Sequence, residues 1–115
     1  MNICIAPEVL ERALQIIQDC VKEDEAIGSF AARVSIATNT DSVTIHAANR
    51  TINIRVECFA SVEELGFCTV DREPLQALTH HARGEDPISI FTDKYSDVVF
   101  HHETFNATLY NYSAA

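Results

Sequence analysis

The sequence predicts an α+β domain in which two helices lie on one face of antiparallel sheets. Three observations carry this. Two stretches have the three- and four-residue apolar spacing of amphipathic helices, near residues 7–21 and 72–82. Six longer stretches show strand character, the clearest alternating Ile52, Ile54, Val56 and Cys58 with Asn53, Arg55 and Glu57. The order strand, helix, strand, strand, strand occurs twice, the second unit beginning about 65 residues after the first.

The elements follow in chain order. Ile3 and Ile5 share one face of a strand over 2–6. Pro7 suits a first helical position, because its missing N–H would be unpaired there anyway, and Glu8 favours the positive end of the helix dipole. Leu10, Ala13, Leu14, Ile17 and Val21 form the apolar stripe. Glu11, Arg12, Gln15, Gln18, Asp19 and Lys22 form the wet side. The run Lys22-Glu23-Asp24-Glu25 ends the helix in a polar loop.

Strands are predicted over 29–37, 42–47 and 51–59, with turns at 38–41 and 48–49. Phe67 to Val70 opens the second unit. Asp71 is placed as an N-cap, Pro74 in the first turn, and Leu75, Leu78 and Ala82 on the inner helical face. Arg83-Gly84 closes this helix, as glycine commonly does. Strands over 87–92, 97–101 and 104–110 complete the unit. Residues 93–96 and His102-Glu103 are read as turns, and Glu63-Glu64 as loop.

The chain of 115 residues fits a single domain, 1–115, with a modest core. Its 47% apolar content and three glycines exclude disordered and fibrous classes. No apolar run has the length of a membrane span, and the start lacks the pattern of a secretory signal, so a cytoplasmic protein is expected. Cys4, Cys20, Cys58 and Cys68 are widely spaced among apolar neighbours, and are read as reduced core thiols.

No active site is legible. There is no G-x-S-x-G elbow, and three glycines leave little for a phosphate-cradling loop. The carboxylate clusters have no apolar pocket around them to set acid and base apart. His80-His81 and His101-His102 are adjacent pairs. Neighbouring residues diverge by about 100° on a helix and point to opposite faces on a strand, so neither pair chelates one ion readily. No enzyme, metal or cofactor is expected.

Beyond its layout, the chain resembles a known family. MNICIAPEVLERALQIIQDCV looks like the first strand and helix of the amino-terminal domain of the bacterial DNA polymerase III beta sliding clamp. SVTIHAANRTINIRVEC looks like that domain's central hairpin, and GFCTVDREPLQALTHHARGEDPISIF like its second helix and following strand. The likeness is a dispersed pattern of apolar positions and turns across nearly the whole chain. It implies a processivity-clamp fold and a non-catalytic role in DNA replication. In that family each chain carries three such domains, and two chains close head to tail into a ring around duplex DNA. Helices line the hole and sheets form the outer wall.

The resemblance implies weak, sequence-independent contact with duplex DNA, contact with replication proteins, and self-association through strand edges. Arg12, Lys22, Arg72 and Arg83 are the DNA-facing candidates, expected to share one surface. The net charge of −9 points another way, because affinity for phosphate comes from Lys and Arg. A small acidic binding protein, of the kind that inhibits a basic partner, is therefore the alternative reading.

Overall fold

A computed structural model describes residues 1–21, 33–48, 52–82 and 84–113. In chain order the elements are β1 (Asn2–Ile5), α1 (Pro7–Val21), β2 (Arg33–Thr38), β3 (Ser42–Ala48) and β4 (Asn53–Phe59). Then come β5 (Ser61–Glu64), β6 (Phe67–Asp71), α2 (Arg72–His81), β7 (Ile88–Thr92), β8 (Val98–His102) and β9 (Phe105–Leu109). The α+β class, the two helices and the duplicated unit are all as the sequence predicts. Residues 22–32, which include the acidic loop, lie outside the described residues.

The two units exchange their first strands. The four-stranded sheet runs β4-β3-β2-β6, so the opening strand of the second unit joins the last strands of the first. The five-stranded sheet runs β5-β1-β7-β8-β9, so β1 joins the last three strands of the second unit. All pairings are antiparallel. Ile3 faces Ile90 between β1 and β7, and Val34 faces Val70 between β2 and β6. Neither unit can bury its inner face without the other.

Burial follows the predicted periods. Leu10, Ala13, Leu14 and Ile17 of α1 are buried, as are Leu75 and Ala82 at α2. They meet Ile36, Ile45, Ile88, Ile90 and Phe100 from the inner faces of both sheets. In β4 the alternation is real but shallower: Ile54 and Val56 are half-buried, because β4 is an edge strand.

Four local readings change. First, Glu63 and Glu64 belong to β5 rather than to a loop. Ser-Val-Glu-Glu carries one apolar residue and little intrinsic strand preference. It is a strand because the outer edge of β1 needs a partner, found through Ile3 against Val62 and Cys4 against Ser61. Second, His102 is the last residue of β8, buried at the core side, while His101 is exposed. Among the described residues neither ring nitrogen of His102 has a hydrogen-bond partner.

Third, Asp71 has the extended backbone of an N-cap but makes no side-chain cap bond. Its carboxylate instead accepts a hydrogen bond from the Tyr112 hydroxyl at 3.0 Å. Fourth, Cys58 and Cys68 are buried thiols, but Cys20 is exposed in the last turn of α1, and Cys4 is only partly covered.

The segment after β9 mirrors β5. It runs along the outside of β6, where the Tyr112 N–H donates to the Thr69 carbonyl at 2.8 Å. Asn111 is buried, and its side chain joins the sheets. Its carbonyl oxygen accepts from the Thr69 N–H at 3.1 Å, and its amide donates to the Ser96 carbonyl in the β7–β8 turn at 3.0 Å. The Arg33 guanidinium lies 3.5 Å over the Tyr112 ring, capping this segment.

Two stability predictions result. Asn111→Ala strands the Thr69 N–H in a covered site, at a cost of about 2 kcal/mol by denaturant titration. Burial raises the Cys68 thiol from 9.0 to about 11. A raised folded pKa contributes stability below the unfolded value, which is lost as pH climbs through the folded one. Stability should fall between pH 9 and 11, by on the order of 2 kcal/mol, with much less fall in Cys68→Ala.

Candidate nucleic-acid interface

The wet sides of α1 and α2 meet along a polar seam. Residues spaced four and three apart on α1 (Glu11, Gln15, Gln18) face residues spaced four apart on α2 (Arg72, Gln76, His80), as side chains on one helical face must. With Glu73, Ala77 and His81 they line a groove of about 430 Å³. Glu11 meets His80 while Gln18 meets Gln76, so the helices run antiparallel.

Hydrogen bonds run along and across the seam. Arg72 donates to the Gln76 side-chain carbonyl at 3.0 Å, and the Gln76 amide donates to Gln18 at 2.5 Å. Further along, the His80 Nδ1 lies 2.9 Å from the Glu11 carboxylate. The Gln15 amide donates to Asp19 at 2.9 Å. A second shallow groove of about 410 Å³ runs along the outer flank of α1, lined by Glu8, Arg12, Ile16 and Asp19, and it shares Glu11 and Gln15 with the first.

Arg12 and Arg72 therefore stand on adjoining grooves. Arg12 is exposed among Glu8, Glu11 and Asp19. Arg72 is buried, held at the start of α2 by Gln76. Its guanidinium holds Gln76, whose amide in turn reaches Gln18 of α1, a role its place on the wet side of α2 did not indicate. Lys22 and Arg83 lie outside the described residues. The glutamine bridge and the Glu11–His80 contact were not read from the sequence. The four-residue spacing of Arg72, Gln76 and His80 was the available signal, but nothing in it says which helix lies opposite.

The described charges on this helical face are Arg12 and Arg72 against Glu8, Glu11, Asp19 and Glu73. Among the described residues no three His, Cys, Asp or Glu side chains are grouped to hold a metal. His80 and His81 stand edge to face, with ring centroids 5.8 Å apart.

Among the described residues the outermost strands are β4 and β6 of one sheet and β5 and β9 of the other, with the segment through Tyr112 lying along β6. β4 carries Arg55 and Glu57 on its exposed side. β9, with the sequence FNATL, carries no charge at all. Phe59 at the end of β4 is 85% exposed, and Tyr110 just beyond β9 is 66% exposed.

Solved structures of bacterial clamps match this chain throughout. Pol III beta from Caulobacter crescentus superposes with a TM-score of 0.86 at 19% identity, over 99% of this chain and 30% of that one. The DNA polymerase III beta subunit of Pseudomonas aeruginosa gives 0.85 at 16% identity, over 99% and 31%. The Helicobacter pylori beta clamp gives 0.82 at 16% identity, over 98% and 30%. No family model and no curated relative matches the sequence. The chain thus spans about 30% of the length of these clamps, and it has the fold of one bacterial beta-clamp domain.

Proposed function

We propose that this domain is a segment of a ring that surrounds duplex DNA, a non-catalytic sliding clamp that keeps a replicative polymerase on its template. The observation that supports the reading is the pair of edge strands, β4 and β9, unpaired on one side among the described residues, on a domain whose fold matches beta clamps over its whole described length. An open edge is a row of unpaired backbone donors and acceptors, which natural proteins blunt with charge or cover. β9 has no blunting charge. Pairing β9 of one domain with β4 of the next covers both edges, and repeating a head-to-tail contact closes a ring when its rotation allows.

The acidic surface is compatible with this role. A clamp holds DNA by topology, so it needs only weak phosphate contacts, and strong ones would stop it sliding. The partners in this reading are duplex DNA, a replicative polymerase and further copies of the domain, in the cytoplasm. A second reading is favoured by the four carboxylates on the helical face, Glu8, Glu11, Asp19 and Glu73. In it the domain is an acidic binding protein that docks a basic partner, with charge complementarity speeding the encounter.

The test is solution mass by light scattering over a range of concentrations near neutral pH. Six copies of the 12.8 kDa chain, about 77 kDa, are expected. Thr108→Lys places a charge on the β9 edge and should reduce that species to monomer without unfolding it. A monomer or dimer of the unmodified chain at every concentration overturns self-assembly into a ring.

A further inference from the structure

We infer that the corner between the two sheets, residues 59–67, is a docking surface for a basic peptide segment that carries apolar side chains. Among the described residues, Phe59 at 85%, Leu65 at 67% and Phe67 at 56% are exposed large apolar side chains, and all three fall within this one short stretch. Single exposed apolar side chains are ordinary, whereas a cluster marks a contact surface. The backbone beneath them is fixed. The Ala60 N–H donates to the Asp41 carbonyl at 3.5 Å, and the Gly66 N–H donates to the Thr38 hydroxyl at 2.7 Å. Both ends of the corner are thus tied to the turn between β2 and β3.

Cys58 and Cys68 are buried, so their strand neighbours Phe59 and Phe67 both face outward, on the side of the four-stranded sheet away from the core. Phe59 pairs with Ser42, and Glu57, Thr44, Ala37 and Phe67 form the next row across that side. Three strand spacings set β4 and β6 roughly 14 Å apart, with only the small side chains of Thr44 and Ala37 between them in that row. A hollow of about 260 Å³, lined by Ser42, Glu57, Cys58 and Phe59, lies at the β4 end. β5 leaves its outer backbone edge unpaired among the described residues, and an extended peptide can add to such an edge.

Charge selects the occupant. No Lys or Arg occurs over 34–45 or 56–71, where Asp41, Glu57, Glu63, Glu64 and Asp71 stand. Asp41, Glu57, Glu63 and Glu64 are exposed, and the Met1 ammonium beside β5 lies 3.1 Å from the Glu64 carboxylate. Such a rim repels phosphate, which disfavours nucleic acid. A second copy meeting this surface with its own sets like charge against like, on a chain whose net charge is −9. A segment rich in Lys and Arg is attracted, and its Leu or Phe side chains can cover the exposed rings. Docking here does not depend on ring closure.

The experiment is fluorescence anisotropy of labelled short peptides titrated with the full chain near neutral pH. The panel holds Lys-rich peptides with one Leu and one Phe at several spacings, and the same peptides with Ser in place of Leu and Phe. At least one Leu-Phe peptide should bind on the order of tenfold tighter than its Ser counterpart. Phe59→Ser combined with Phe67→Ser should abolish that preference, and Glu57→Gln combined with Glu63→Gln should weaken binding several-fold. Ile16→Ser, on the flank of α1, should change nothing. All these positions are exposed, and circular dichroism checks that the variants fold. Equal binding of the Leu-Phe and Ser peptides reduces the surface to diffuse charge and overturns the inference. A preference that survives loss of both phenylalanines overturns it too, and full affinity without Glu57 and Glu63 overturns the part given to the acidic rim. Failure of every peptide to bind also overturns it, and a lowered solution mass of the double phenylalanine variant would then assign the corner to contact between copies. The mass of the unmodified chain is read separately, so none of these failures removes the ring reading.

Discussion

The rest of the structure depends on the exchange of first strands between the two halves. β1 completes the sheet of the second unit, and β6 completes the sheet of the first. Each half thereby supplies the other with a strand it lacks, and the apolar faces of both sheets close over one core with the helices. The same exchange puts α1 and α2 side by side, because each helix directly follows an exchanged strand. It also decides which edges remain open. β5 runs along the outside of β1 and is itself an outermost strand, the segment through Tyr112 runs along the outside of β6, and among the described residues β4 and β9 end the two sheets on their other sides. The capacity proposed for this domain, to join its own kind end to end, is thus a consequence of the interlock.

Most of the fold is legible in the sequence because burial on one face writes a period into it. The 3.6-residue stripe of α1 and the two-residue alternation of β4 are such records, and both are matched by observed burial. Where an element owes its existence to a distant partner, the record fails. β5 is a strand because β1 lies beside it, and its own Ser-Val-Glu-Glu says loop. Asp71 looks like a cap but bonds Tyr112, some forty residues further along the chain. The candidate surface is legible only as a list of wet residues. Which of them meet across the seam depends on how α1 and α2 are laid against each other, and that is a tertiary fact.

The helical face of this domain differs from a simple basic lining. Its polar groups largely satisfy one another: Arg72 with Gln76, Gln76 with Gln18, Glu11 with His80, Gln15 with Asp19. Amides and imidazoles contact phosphate without the strong salt-dependent grip of a lysine cluster. In the proposed clamp, such a surface would suit a tether that must not stall, and the burden of holding DNA would fall on ring closure and not on affinity.

The central claim is encirclement, and topological linkage tests it most directly. The chain is assembled in the presence of nicked circular duplex, and the bound fraction is isolated by gel filtration at moderate salt. A restriction enzyme then opens the circle. A ring that encloses DNA stays with the circle and is released once the duplex has ends. Protein that never accompanies the circle, or that stays on the linear product as well as on the circle, contradicts encirclement.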